Sequence, residues 1–167
     1  GPNDENPLLF QPAGLAHTRL AIRDILGGKQ PMSAQYRGRG ASIVYNGEIY
    51  NTCELREELE PFGMNWSTTG DTEVILNGFL AMGTSFFEKM NGIFAFAIYV
   101  HQTKELYLVR DSLGVKPLFY SFDHKAVVFG SEPKALFAYG IHPAADRACW
   151  NEIFALGPAR TLGNGGF

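Results

Sequence analysis

The sequence predicts an α+β domain in which antiparallel sheet lies between helical layers. Three observations lead there. Ile93–Val100 is apolar at every position, as a strand covered on both faces must be. Four strand-like runs follow one another between Ile93 and Gly130 with short polar turns, which predicts an antiparallel meander. Two helical patterns, each closed by a glycine, lie between Asn51 and Gly83.

Taken in order, residues 15–23 read as a strand running into an irregular stretch that ends at Gly27-Gly28. The turn Arg37-Gly38-Arg39-Gly40 precedes a strand over Ala41–Tyr45, and Asn46-Gly47 is a strong tight-turn signal. Asn51 as N-cap with Glu54 three residues on predicts a helix with the stripe Leu55, Leu59 and Phe62, stopped by Gly63. Asp71 opens a second helix whose inner face is Val74, Ile75, Phe79 and Met82, ended by Gly83. A helical turn over Ser85–Met90 leads to the strands Ile93–Val100, Leu106–Arg110, Pro117–Phe122 and Ala126–Gly130. Ser131 as cap with Pro133 in the first turn predicts a helix to Gly140, and a last helix is expected from Asp146 to Leu156.

Composition removes several classes of function. Fourteen Lys+Arg against 17 Asp+Glu give a formal charge of -3 without a basic run, so no nucleic-acid footprint is expected. No apolar run approaches the ~20 residues of a membrane helix. The polar start Gly1–Asn6 is followed by nothing like a signal-peptide core, which predicts a cytoplasmic protein. Two cysteines, Cys53 and Cys149, make neither a disulfide framework nor a zinc site. The expected organisation is one domain over residues 1–167.

Some residues look costly for architecture alone. Arg19 lies in a mostly apolar strand, where a guanidinium needs a carboxylate-type partner. Asn46-Gly47-Glu48 joins an amide, a backbone N–H that a ligand can approach closely, and a carboxylate. Asp71 starts a helix after Thr69-Gly70, and Arg110-Asp111 closes an apolar strand. Each also has a purely architectural reading: a turn for Asn46-Gly47, a helix cap for Asp71, an internal ion pair for Arg19 and for Arg110 with Asp111. His101 and His124 fall in turns and read as solvated, while His17 and His142 have no second ligand at metal spacing. Together the polar residues suit an α-amino acid that carries an acyl group: an Arg for the carboxylate, two acids for the ammonium, an Asn/Gly pair for an oxyanion.

Six ordered stretches carry a family resemblance: His17-Thr18-Arg19-Leu20-Ala21-Ile22, Tyr45–Asn51, Thr69–Val74, Asn91–Ala97, Arg110–Leu118 and Gly130–Ala135. They resemble the class II glutamine amidotransferase domain, in the wording found in glutamine-hydrolysing asparagine synthetases. The resemblance implies an N-terminal-nucleophile hydrolase αββα sandwich of two antiparallel sheets. It implies that Arg19 binds the α-carboxylate of glutamine, that Glu48 and Asp71 hold its ammonium group, and that Asn46 and Gly47 form the oxyanion hole. Leu20 and Ile22, in the stretch Leu20 to Arg23, would lend backbone contacts. No cofactor or metal is implied for this domain. ATP and Mg²⁺ would serve a C-terminal synthetase domain, the implied partner, and homodimerisation is admitted.

In that family the nucleophile is an N-terminal Cys some tens of residues upstream of an Arg-Gly-Pro-Asp motif. Here Gly1-Pro2-Asn3 stands in that motif, and neither Cys53 nor Cys149 aligns with the nucleophile. The expectation is therefore a glutaminase domain incomplete at its N-terminus, without its nucleophile and without the synthetase domain. The alternatives are a non-catalytic module that keeps the fold for interaction or regulation, and the amidotransferase domain of a related biosynthetic enzyme.

Overall fold

The computed structural model describes residues 4, 5, 7–10, 12–19, 29–122, 125–144, 147, 151, 154 and 155. It divides into two compact units, Gly1–Leu118 and Phe119–Phe167. In the first, β1 (Asp4–Glu5), β2 (Leu8–Leu9), β3 (Gly14–Leu15) and β4 (Thr18–Arg19) form two small antiparallel pairs, β1 with β4 and β2 with β3. The main sheet follows: β5 (Met32–Tyr36), β6 (Arg39–Ile49), β7 (Gly92–Val100) and β8 (Leu106–Arg110), antiparallel and in that spatial order. Between β6 and β7 come α1 (Thr52–Leu59) and α2 (Asp71–Met82). The second unit holds β9 (Phe119–Phe122) paired with β10 (Val127–Gly130), and α3 (Pro133–Tyr139). The expected α+β class with antiparallel sheets is the class observed.

The core forms where α1 and α2 lie on one face of the main sheet. Leu55 and Leu59 of α1, Val74, Ile75, Leu76 and Phe79 of α2, and Ile43, Phe96 and Ile98 of the sheet are all buried there. The opposite face is covered too. Val44, Ala95, Ala97 and Tyr99 are buried, and the Phe10 ring lies 5.4 Å from that of Tyr99. Cover on both sides is what the unbroken apolar run of β7 required.

Several local expectations change. Asn46-Gly47 is no turn. It continues β6, with Asn46 opposite Ala95 and Gly47 opposite Phe94, because a long apolar partner strand gives those residues a ladder to join. Asn51 does stand at the N-cap of α1, but its amide spans sideways, donating to the Lys89 carbonyl and accepting from the Asn91 N–H. Gly70 and not Asp71 caps α2, and Glu132 and not Ser131 caps α3. The four strands do not form one meander: among the described residues β8 is the edge strand of the main sheet, and β9 pairs with β10. His101 is half-buried, bonded through Nε2 to the Ser42 hydroxyl at 2.8 Å and set against Phe10. The strand expected over 15–23 is described only as far as Arg19. The last helix is described at four positions, and His124 and Cys149 lie outside the described residues.

Gly78 shows how closely the helical layer packs. A Cβ built there would lie 2.2 Å from the ring of Phe86, which is fully buried in the helical turn after α2. An exposed helix gains roughly 0.5–1 kcal/mol from Gly→Ala, but here overpacking costs about 1–3 kcal/mol. Gly78→Ala should therefore lower stability in urea unfolding, and a rise would contradict the packing described.

Candidate active site

β6 has eleven residues and β5 has five, so β6 outruns its neighbour. Pairing ends at Met32 opposite Ile43, and from Tyr45 to Ile49 one edge of β6 has no strand beside it among the described residues. Alternation along an antiparallel strand sends successive backbone groups to opposite edges. Gly40 and Tyr50 bond toward β7, through His101 and Asn91, which places Tyr45, Gly47 and Ile49 on the free edge. Buried backbone groups there need other partners.

Side chains supply them at two of the three positions. Gln30, buried, accepts the Tyr45 N–H on Oε1 at 2.6 Å and donates from Nε2 to the Tyr45 carbonyl at 3.0 Å. His17 Nε2 lies 3.2 Å from the same carbonyl. Asp71 Oδ2 accepts the Ile49 N–H at 2.9 Å and the Tyr45 hydroxyl at 3.3 Å, while Oδ1 accepts the Thr52 hydroxyl at 3.1 Å. Between these braces the Gly47 N–H has no partner among the described residues.

The absent side chain at Gly47 is a steric requirement. A Cβ would lie 2.3 Å from the Ile93 carbonyl oxygen and 2.7 Å from Phe94 Cα. Gly92 mirrors it, with its own Cβ position 2.3 Å from the Glu48 oxygen. The two glycines let β6 and β7 close up at a non-hydrogen-bonded pair, the narrow spacing of an antiparallel ladder.

Asn46 and Glu48 flank the open N–H, both exposed and on one face of β6 by strand alternation. Asp71 meets three protein donors, and a carboxylate has about four acceptor positions, so one remains. Tyr45 stays a neutral donor: burial pushes its phenol far above its ordinary value, and the adjacent Asp71 charge adds to that. Of the expected site residues, the strand continuity of Asn46, Gly47 and Glu48 and the Asp71 bond to Ile49 bring four to one strand end. His17 brings the chain just before Arg19 to the same place, with the Arg19 backbone paired to Asp4 in β1. The Arg19 side chain, Leu20 and Ile22 lie outside the described residues. Gln30 was not anticipated, because a lone Gln before a proline has no local signature.

Arg110 and Asp111 do not pair with each other. Arg110 donates to the Lys116 carbonyl at 2.6 Å and the Gly114 carbonyl at 2.5 Å. Asp111, buried, accepts the N–H groups of Val115 at 2.9 Å, Lys116 at 3.0 Å and Phe94 at 3.3 Å. The pair clamps the loop after β8, one residue by its carbonyls and the other by its amides.

Residues 1–162 match the family model described as glutamine amidotransferase domain. The chain is 44% identical over 168 residues to glutamine-hydrolyzing asparagine synthetase 3 of Bacillus subtilis, covering 100% of this chain and 27% of that protein. Against glutamine-hydrolyzing asparagine synthetase B of Escherichia coli it is 39% identical over 140 residues, 81% of this chain and 24% of the other. The chain thus spans about a quarter of the length of these curated relatives. Among solved structures, the glutamine phosphoribosylpyrophosphate amidotransferase of B. subtilis, complexed with ADP and GMP, superposes with a TM-score of 0.65. It has 24% identity, and the match covers 76% of this chain and 29% of that one. This likeness is one of fold.

Asp111 gives the loop after β8 a pH signature. The Lys116 N–H, with those of Val115 and Phe94, holds its carboxyl below the usual carboxylate range against the opposing effect of burial. An unfolded Asp titrates near about 3.9. The stabilisation is therefore complete above that pH and is lost as pH falls through the lower folded value. Asp111→Asn should lower stability at neutral pH, with the gap to wild type narrowing as pH falls below the unfolded value. Urea unfolding across that range checks it, and a gap that stays constant would contradict the assignment.

Proposed function

This chain belongs to the glutamine amidotransferase domain family, and from that premise we propose that it binds L-glutamine at the free edge of β6. The observation that carries the reading is the open Gly47 N–H held between two braced neighbours. An amide oxygen that gains negative charge during hydrolysis needs preorganised donors. Gly47 supplies one from the backbone, and the Asn46 amide beside it supplies a second. Glu48 and the remaining acceptor position of Asp71 take the α-ammonium group, and Arg19 takes the α-carboxylate. Leu20 and Ile22 would add backbone contacts to the ligand, as the family resemblance implies.

The reaction is hydrolysis of the γ-amide, giving glutamate and ammonia. In the family an N-terminal cysteine is the nucleophile, and Cys53, exposed on α1, does not take that place. The residues of this chain bind, orient and stabilise the oxyanion. The relatives are named as synthetases, and this supports a longer parent that passes ammonia to aspartate in a C-terminal synthetase domain using ATP and Mg²⁺. The parent is read as a cytoplasmic enzyme that can pair as a homodimer. No helix of the described residues is long and apolar enough to cross a membrane.

Calorimetric titration tests the binding claim directly. L-Glutamine should bind saturably and D-glutamine should not. Glu48→Gln should weaken binding by at least about tenfold, the worth of one hydrogen bond to a charged group. Saturable binding that Glu48→Gln leaves unchanged would overturn the site, as would no binding of L-glutamine at millimolar concentration.

A further inference from the structure

Carrying the register of β5 with β6 back two positions, from Met32 opposite Ile43, sets Gln30 opposite Tyr45. Backbone pairing stops short of that point, since β5 begins at Met32. At Gln30 a side chain stands in for the strand. Its Oε1 accepts the Tyr45 N–H at 2.6 Å, and its Nε2 donates to the Tyr45 carbonyl at 3.0 Å. Those are the two bonds that a hydrogen-bonded pair of an antiparallel ladder exchanges. The type I′ turn geometry of Arg37 and Gly38, both at positive φ, makes Tyr36 with Arg39 such a pair. Counting back by twos through Ala34 and Met32 gives Gln30 with Tyr45 the same parity.

The amide of Gln30 is committed inside the protein. The residue is only 7% exposed, and Nε2 also donates to the Thr72 hydroxyl at 3.4 Å, in the first turn of α2 beside Asp71. An amide nitrogen has two hydrogens, and both are used. Gln30 is therefore no ligand-binding group. What it holds is the strand that carries the proposed ligand donors.

From Tyr45 to Ile49, β6 is paired along one edge with β7. A ribbon held along a single edge can rock about it. Two fixed points on the other edge oppose that motion: Gln30 at Tyr45 and Asp71 at Ile49. Gly47 lies midway between them and has no side chain through which packing could steady it. The direction of its N–H follows from those two points. Asp71 also faces the proposed ammonium site, whereas Gln30 has no part in the ligand contacts.

We propose that Gln30 is a positioning residue of the glutamine site: by replacing the missing strand at Tyr45, it aims the Gly47 N–H at the γ-amide oxygen. This rests on the reading of the β6 edge as the place where glutamine binds. A site of this kind needs its donors held to within about 0.5 Å by supporting hydrogen bonds. Both halves of the amide are required. Gln30→Glu keeps an acceptor for the Tyr45 N–H but turns a second carboxylate oxygen toward the Tyr45 carbonyl. Gln30→Met keeps the length and provides neither bond.

The test is titration of the ¹⁵N-labelled full chain with L-glutamine, in wild type, Gln30→Met and Gln30→Glu. Both variants should bind at least about tenfold more weakly. Their Gly47 amide should also shift less at saturation than that of wild type. Thr72→Val leaves both Tyr45 bonds in place and loosens Gln30 from α2, so it should act in the same direction by a smaller factor. A merely architectural Gln30 would lower the thermal midpoint and leave the affinity and the Gly47 shift of the folded variants unchanged. That result would overturn the positioning role while the glutamine site stood. Wild type that binds no L-glutamine would overturn the site and this role together. If neither Gln30 variant folds, Thr72→Val decides: a weaker affinity with a smaller Gly47 shift supports the role, and wild-type values overturn it.

Discussion

A strand that outruns its neighbour must find other partners for its backbone, and the rest of the first unit is arranged around that need. β6 extends past β5 after Ile43, and three outward positions remain. Gln30 takes Tyr45 and Asp71 takes Ile49. Gly47, between them, is closed off on the β7 side by a contact too tight for any side chain. The opening at Gly47 is thus defined by what surrounds it. Its neighbours are fixed, its own side is steric contact, and its N–H faces outward.

The same device recurs with different residues. Asp71, Glu73 and Asp111 each use a carboxylate to gather backbone N–H groups that no ladder reaches. Asp71 joins β6, α1 and α2. Glu73 holds the loop that leads into α2, and Asp111 holds the loop that leaves β8. Each bond to a charged acceptor is stronger than its neutral counterpart. Three acids thereby hold irregular segments in place beside a sheet whose own core is apolar. Asp71 is the one of the three that stands at the strand end where glutamine is proposed to bind.

Much of this was legible in sequence, for physical reasons that particular residues make plain. α2 was readable from Asp71 to Gly83 because its apolar positions repeat at helical spacing and a glycine ends it. β7 was readable because no other element of that length is apolar at every position. Asn46-Gly47 was misread because a turn signal is local, whereas its partner Phe94 lies 47 positions further on. The ion pair expected of Arg110 and Asp111 failed for a related reason: both side chains turn to the backbone of the loop that follows. Gln30 was invisible, since an amide side chain declares its role only when the fold shows what it faces.

The account stands on the Gly47 N–H as the donor that meets the ligand. The amide spectrum of the ¹⁵N-labelled chain, followed while L-glutamine is added, tests that most directly. The account predicts a saturable shift that is largest at Gly47, with the Tyr45 and Ile49 amides nearly still because Gln30 and Asp71 already hold them. Saturation that moves Tyr45 and Ile49 while Gly47 stays in place would contradict it.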